Sequence, residues 1–175
     1  MGVALGLVLP MWERPPDGPV PRWSEIRAMA NRAEELGADT VWLADEILWR
    51  AMGPEPVGWW DGLTMAGAVA ASTSTVNIGT WVMSAIQHKP GMIARAAESL
   101  DEISGGRFVL GLGAGHGGGA TAFGFPTDHT VPRYLEAIEI LVPLLRGEAE
   151  PLEQERGGGD QLLRQSFSNR DAYRE

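Results

Sequence analysis

Residues 100–116 read LDEISGGRFVLGLGAGH, and the fold is decided in that short space. Leu100 and Ile103 end a stripe that begins with Ile93, Ala96 and Ala97, at the three- and four-residue spacing that lines up side chains on one helix face. Gly105 then closes the helix, because a residue without a Cβ enters the left-handed conformation of a helix C-terminus at no steric cost. Phe108, Val109 and Leu110 follow, apolar on consecutive rather than alternate positions, the pattern of a strand buried on both faces of a parallel sheet. That strand runs into Gly111, Gly113 and Gly115, where bare backbone N–H groups either approach an anion closely or simply make a flexible turn. Helix, glycine stop, two-faced strand and glycine-rich end make up one unit of an α/β fold.

Working outward, the same unit recurs. Apolar runs occupy Ala4–Leu9, Asp39–Ala44, Val76–Val82 and Arg107–Gly113, each interval long enough for one helix. The first interval carries Trp23, Ile26, Ala30 and Ala33 on one stripe, with Ser24 as the expected N-cap and Gly37 as the stop. Asp61–Thr73 is a second helix, rich in small residues; Pro90 opens the third. Tyr134, Ile138, Leu141, Val142 and Leu145 line a fourth, in which Pro143 removes the backbone bond to Glu139 and bends the last turn. The order βαβαβαβα predicts a parallel sheet with a core around Leu5, Leu7, Val41, Leu43, Ile78, Val109 and Leu110. After Gly147 the apolar period stops and a triple glycine, 157–159, appears, so the expected organisation is one domain over 1–147 and a loose tail over 148–175.

Composition narrows the function classes. The formal net charge of −9 offers no basic field for nucleic acid or an anionic membrane surface. With no cysteine among 175 residues, disulfides, thiolate nucleophiles and iron–sulfur ligation are excluded. The apolar start, Met1–Pro10, lacks a positive leader and runs into prolines, so it reads as a strand and the expected compartment is the cytoplasm. No H-x-x-H or H-E-x-x-H spacing is present, so no metal site is expected.

In parallel β/α folds ligands bind beyond the carboxyl ends of the strands. Here those ends carry Trp12 and Glu13; Asp45, Glu46, Trp49, Trp59 and Trp60; Trp81, Gln87 and His88; and Gly113–Gly119 with His116. Five of the 7 tryptophans thus fall at one rim. Their faces either receive a planar ligand or merely cover the mouth of the fold or a subunit contact. Asp45-Glu46 reads as an acid/base pair or as a solvated helix cap. His88 and His116 are each a possible acid, base or phosphate partner, or an ordinary loop histidine. Gly113, Gly115 and Gly118 satisfy G-x-G-x-x-G. However, the pattern sits at the fourth strand rather than the first and lacks the acidic residue at the end of a following strand, so a dinucleotide fold is a weak reading.

Taken together, GLVLP, LGADTVWLADE, NIGTWVM, HKP, SLDEISGGRFVLGLGAGH and AFGFPTDHTVPRYLEAIEILVPLLRGE resemble the bacterial luciferase-like superfamily of flavin monooxygenases and deazaflavin (F420)-dependent oxidoreductases. The resemblance covers about residues 1–147 and implies a (β/α)8 TIM-barrel fold, an F420 or FMN cofactor at the carboxyl rim and a small organic substrate. It also implies cofactor contacts from Asp45, from Thr80, Trp81 and Val82 at a bulge with a non-prolyl cis peptide, and from Gly113, Ala114 and Gly115. Glu46 and His116 fall where members place catalytic groups. Two departures stand out: Glu46 replaces a common histidine, and His116 stands where some members carry a glutamate. At about 34 residues per unit, eight units need roughly 270 residues, so only the first four βα units, a half-barrel, are expected here. Such a half is either an oxidoreductase half-domain or a truncated, non-catalytic remnant that self-associates through its open edges and binds flavin weakly or not at all; in either case a homo-oligomer is expected.

Overall fold

The computed structural model describes residues 2–13, 18–49, 56–115, 117–125 and 127–148. The tail expected over 148–175 lies, but for Glu148, outside them. Elements run β1 (Gly6–Val8), α1 (Trp23–Glu35), β2 (Thr40–Leu43), β3 (Leu48–Trp49), β4 (Val57–Gly58), α2 (Gly62–Ser72), β5 (Asn77–Thr80), β6 (Met83–Ser84), α3 (Pro90–Ser104), β7 (Phe108–Val109), β8 (Leu112–Gly113), α4 (Gly117–Ala120) and α5 (Thr130–Arg146). A 3₁₀ turn at Thr121–Phe123 joins α4 to the loop before α5.

The main sheet is wholly parallel, in the order β1-β2-β5-β7. Successive strands are neighbours with no reversal, so the described sheet lacks the switch point of a doubly wound nucleotide fold. Leu7, Val41, Ile78 and Phe108 share one row, and the face they occupy packs on helices. Val41, Leu43 and Ile78 are fully buried in one cluster with Ile26 and Ala30 of α1, Ala66 and Val69 of α2, and Leu100 of α3. A second cluster joins Met83, Ile93, Ala94 and Leu141, tying α3 and α5 to the short β6.

Three expected core residues are not in that core: Leu5 is 56% exposed, Leu7 39% and Val109 41%. The apolar runs do form strands, but β1 and β7 are the outermost strands of the described sheet, with no covering layer beyond the edge among the described residues. Ser24 is not the N-cap of α1. Arg22 takes that position, its backbone N–H donating to the Glu25 carboxylate at 2.7 Å, a reciprocal bond that satisfies one otherwise unpaired donor. Trp23, at the start of the α1 stripe, is 36% exposed. The stops hold: Gly37 has φ 78° and Gly105 φ 68°.

Arg107 anchors the start of β7. Its guanidinium donates to the Ala70 and Thr73 carbonyls at 3.0 Å each, and its Nε to the Ser104 carbonyl at 2.7 Å. These are unpaired carbonyls at the C-termini of α2 and α3, where a cation also meets the negative end of the helix dipole.

Candidate active site at the strand ends

The third and fourth strands do not run straight through. The β5–β7 ladder stops at Gly79 and Val109, and a new parallel pair, β6–β8, starts at Met83 and Leu112. Between them the Thr80 hydroxyl stands in for the ladder, donating to the Gly111 carbonyl at 2.8 Å and accepting from the Gly111 N–H at 3.0 Å. An added Cβ at Gly111 would run into the Thr80 carbonyl, so only glycine permits this approach. Trp81 and Val82 are left outside the ladder, joined by a cis peptide bond, with 61% and 42% of their surface exposed. The bulge expected at Thr80–Val82 is therefore present, and the bond is Trp81–Val82.

Beside it lies a cavity of about 310 Å³. Trp81 and Val82 line one side; Trp12, Trp49 and Trp59 line another, with Asp45, Glu46, Ser84 and Gly115 completing it. The tryptophans are arranged by a small antiparallel device that periodicity could not reveal. The β3–β4 hairpin pairs Trp49 with Val57, and Trp12 bridges Trp59. Trp12 and Trp59 then meet at a centroid distance of 4.9 Å, and Trp49 stacks on Trp59 at 6.2 Å. Trp60 takes no part in lining this cavity; its indole N–H donates to the Pro21 carbonyl at 2.7 Å.

Asp45 ends the second strand's connection and binds two groups at once. One carboxylate oxygen accepts from the Ser84 N–H and from the His88 ring nitrogen, both at 2.9 Å. The Asp45 side chain is 7% exposed and that of His88 23%. The hydrogen bond to Asp45 raises the His88 pKa above its ordinary 6.5, against the opposing effect of burial, with further help from the charges of Asp45 and Asp61. Glu46 faces the cavity and a second one of about 240 Å³ beyond it, shared with Asp61, Gln87, His88 and Phe125.

The structure thus brings together Asp45, Glu46, Trp81, Val82 and Gly115. Thr80 is 1% exposed and committed to Gly111, so it holds the bulge rather than facing the cavity. Gly113 and Ala114 stand beside rather than in the lining, and His116 lies outside the described residues. Gly113 and Gly115 have a reason to be glycine that needs no ligand. A Cβ at Gly113 would meet Val82, and one at Gly115 would meet Ser84 Oγ and lie 2.8 Å from Ile86 Cγ1.

Two participants escaped the sequence reading. Ser84, a polar residue within an apolar run, has a buried hydroxyl with no hydrogen-bond partner at the edge of the cavity. The Asp45–His88 pair joins residues 43 positions apart, and no local pattern announces it. A flat apolar ledge, aromatic walls and a buried unpaired hydroxyl are features that a planar ring system with polar edges fits.

Comparison with known proteins shows the family. The family model described as luciferase-like monooxygenase matches residues 3–159. An F420-dependent glucose-6-phosphate dehydrogenase of Kineococcus radiotolerans is 35% identical over 137 residues, 75% of this chain and 40% of the relative. A 5,10-methylenetetrahydromethanopterin reductase of Archaeoglobus fulgidus is 30% identical over 128 residues, 73% of this chain and 36% of the relative. Among solved structures, an F420-dependent secondary alcohol dehydrogenase in complex with an F420–acetone adduct shares the fold with TM-score 0.66 at 21% identity, over 82% of this chain and 42% of that one. The chain therefore spans about 40% of the length of the relatives it matches.

Proposed function

The chain belongs to the luciferase-like monooxygenase family, and from that premise we propose that it is the cofactor-binding half of an F420- or FMN-dependent oxidoreductase acting on a small organic substrate, its four βα units over 1–147 forming half of an eight-unit barrel. The half-barrel reading is supported by the sequential parallel order of the sheet and by helices packed on one of its faces. The observation that carries the functional reading is the meeting of Asp45, Ser84, Gly115 and the Trp81–Val82 ledge around one Trp-walled cavity.

When bound, either group supplies hydride transfer, and reduced flavin also activates oxygen. The residues of the chain do the rest. Trp81 and Val82 offer an apolar ledge against one face of a ring. Ser84 Oγ and the Asp45 carboxylate supply polar contacts at its edge, while His88 and the Ser84 N–H keep Asp45 from turning away. Trp12, Trp49 and Trp59 exclude water from the substrate side and match an apolar substrate body. Glu46, facing the same cavity, is the carboxylate that gives or takes the substrate's proton, with His116 as the second candidate by sequence position.

The test is a binding titration with F420 and FMN, read by cofactor fluorescence. The unmodified chain is expected to bind one of them, and Trp81→Ala to weaken that binding about tenfold, since an aromatic contact is worth roughly 0.5–1.5 kcal/mol beyond its buried area. Trp81 is largely exposed, so its removal leaves the core intact. Failure to bind either compound, or equal affinity of the variant, would refute the reading and favour a non-catalytic remnant.

A further inference from the structure

Beside the Trp-walled cavity lies the smaller one of about 240 Å³. Its walls come from the connection after β2, the approach to α2, the segment between β6 and α3, and Phe125; none of these is an outer strand of the sheet. Asp45, Glu46, Trp59 and Gln87 line both cavities and so stand at their junction. Gln87 has a fixed stem and an uncommitted head. Its backbone N–H donates to the Ser84 carbonyl at 3.1 Å, and the next residue, His88, is held by Asp45. Its carboxamide, by contrast, makes no hydrogen bond to any described residue. The indole N–H of Trp59 is likewise buried without a partner. The carboxylates around them are already in use: those of Asp45, Glu46 and Asp61 accept from the N–H groups of Ser84, Ile47 and Thr64.

We infer that this second cavity is a site for a neutral, hydroxyl-bearing ring, selected by the Gln87 carboxamide; that the ring belongs to the substrate rests on the function proposed above. A carboxamide presents a donor and an acceptor side by side, whereas carboxylates only accept. The group that meets them must therefore both donate and accept. A ketone oxygen only accepts, and leaves the Gln87 carbonyl and the carboxylates unmatched. An ammonium only donates, and leaves the Gln87 amino group and the Trp59 N–H unmatched, which is costly for donors taken out of water. A carboxylate or phosphate faces the like charges of Asp45, Glu46 and Asp61 against the single imidazole of His88. A hydroxyl does both and carries no charge. Trp59 and Phe125 add aromatic surface for an apolar ring body. The volume of about 240 Å³ falls below the roughly 300–1,000 Å³ of sites that take drug-sized ligands, so it suits one ring. Because Gln87 reaches both cavities, it fixes the place of that ring relative to the Trp81–Val82 ledge.

The test titrates cyclohexanol, cyclohexanecarboxylate and cyclohexylammonium, which share one ring, into the full 175-residue chain without cofactor. The readout is the proton–nitrogen NMR spectrum, with the Gln87 side-chain amide and the Trp59 indole N–H assigned through Gln87→Leu and Trp59→Phe. Cyclohexanol is expected to shift both signals saturably at millimolar concentration, and the two charged probes to bind several-fold more weakly. Gln87→Leu keeps most of the side chain's bulk and removes one hydrogen-bonding group, so it should weaken cyclohexanol about tenfold. Equal or tighter binding of either charged probe, an unshifted Gln87 amide, or unchanged affinity in Gln87→Leu would each overturn the inference. The first two are read on the unmodified chain and count even if the variant fails to fold. Since no cofactor is present, the two readings fail separately: binding of F420 or FMN without a cyclohexanol shift overturns this inference alone, and a cyclohexanol shift without cofactor binding supports the site while the proposed function falls.

Discussion

Replacing Asp45 by Asn probes the joint between the second strand's connection and the segment before α3. The carboxylate accepts from the Ser84 N–H and His88 at 2.9 Å each while almost wholly buried. Asn retains an acceptor for Ser84 but loses the charge that makes the His88 bond strong. A hydrogen bond to a charged partner is worth about 1.5–3 kcal/mol, and that range is the expected loss while His88 is protonated. The pH dependence carries the sharper test. The His88 pKa lies above 6.5 through the Asp45 hydrogen bond, opposed by burial. The stabilisation is therefore complete below the unfolded value of about 6.5 and is lost as pH rises through the folded value. In the variant the charge of Asp45 is gone and its hydrogen bond is weakened, while burial, which outranks the charge of Asp61, remains. His88 should then titrate below its ordinary value. Urea unfolding at about pH 5.5 and about pH 9, with proton NMR of the imidazole, measures both effects. The variant should lose more stability at the lower pH. An unchanged His88 titration, or a stability loss equal at both pH values, would refute the assigned pairing.

Two further outcomes are expected. The Glu34 carboxylate accepts from the backbone N–H groups of Ser74, Thr75 and Val76; although desolvation pushes the other way, those bonds hold its pKa down to about 2 from 4.5. Glu34 thus stabilises the fold above pH 4.5 and ceases to do so as pH falls towards 2. Glu34→Gln should cost about 1–2 kcal/mol at neutral pH after solvent screening and flatten acid unfolding in that window; an unaltered acid limb argues against the three bonds. Gly115→Val meets both a positive φ of 82° and the side chains of Ser84 and Ile86, so thermal unfolding should report a loss of about 2–4 kcal/mol. A variant as stable as the parent would show that the Gly113–Gly115 segment does not pack on β6.

Consecutive apolar runs revealed three of the four main strands, because a strand between two layers needs apolar residues on both faces; Val76–Val82 fits that pattern less well and was placed by its spacing, and the helices followed from their stripes and glycine stops. The same logic misplaced Leu5, Leu7 and Val109, since apolarity records what a residue would bury and not whether a neighbour is there to cover it. The β3–β4 hairpin was invisible for a different reason: pairs as short as Leu48-Trp49 and Val57-Gly58 have no period to detect. At the site, Asp45, Glu46 and the Trp81–Val82 bulge were legible from their position after strands and from the resemblance. Ser84 and the His88–Asp45 contact were not, because both arise only when β6 is displaced from β5 and carries the following loop across to the second strand.

That displacement also changes what the glycines mean. Gly111 is needed where Thr80 replaces the ladder, Gly113 where Val82 crosses, and Gly115 where Ser84 and Ile86 pass beneath. All three requirements come from one event, the expulsion of Trp81 and Val82 from the sheet, and all would persist in a protein that bound nothing. A glycine-rich strand end is therefore weak testimony for a phosphate cradle in this fold. The stronger testimony is what the expulsion leaves behind: a tryptophan with most of its ring in solvent, beside a serine hydroxyl buried without a partner. Packing alone rewards neither, since exposure of the ring forfeits burial and an unpaired buried hydroxyl costs roughly 1–3 kcal/mol. A ligand with a flat apolar face and a polar edge offsets both at once, and so the bulge, not the glycines, ties the fold to its proposed chemistry.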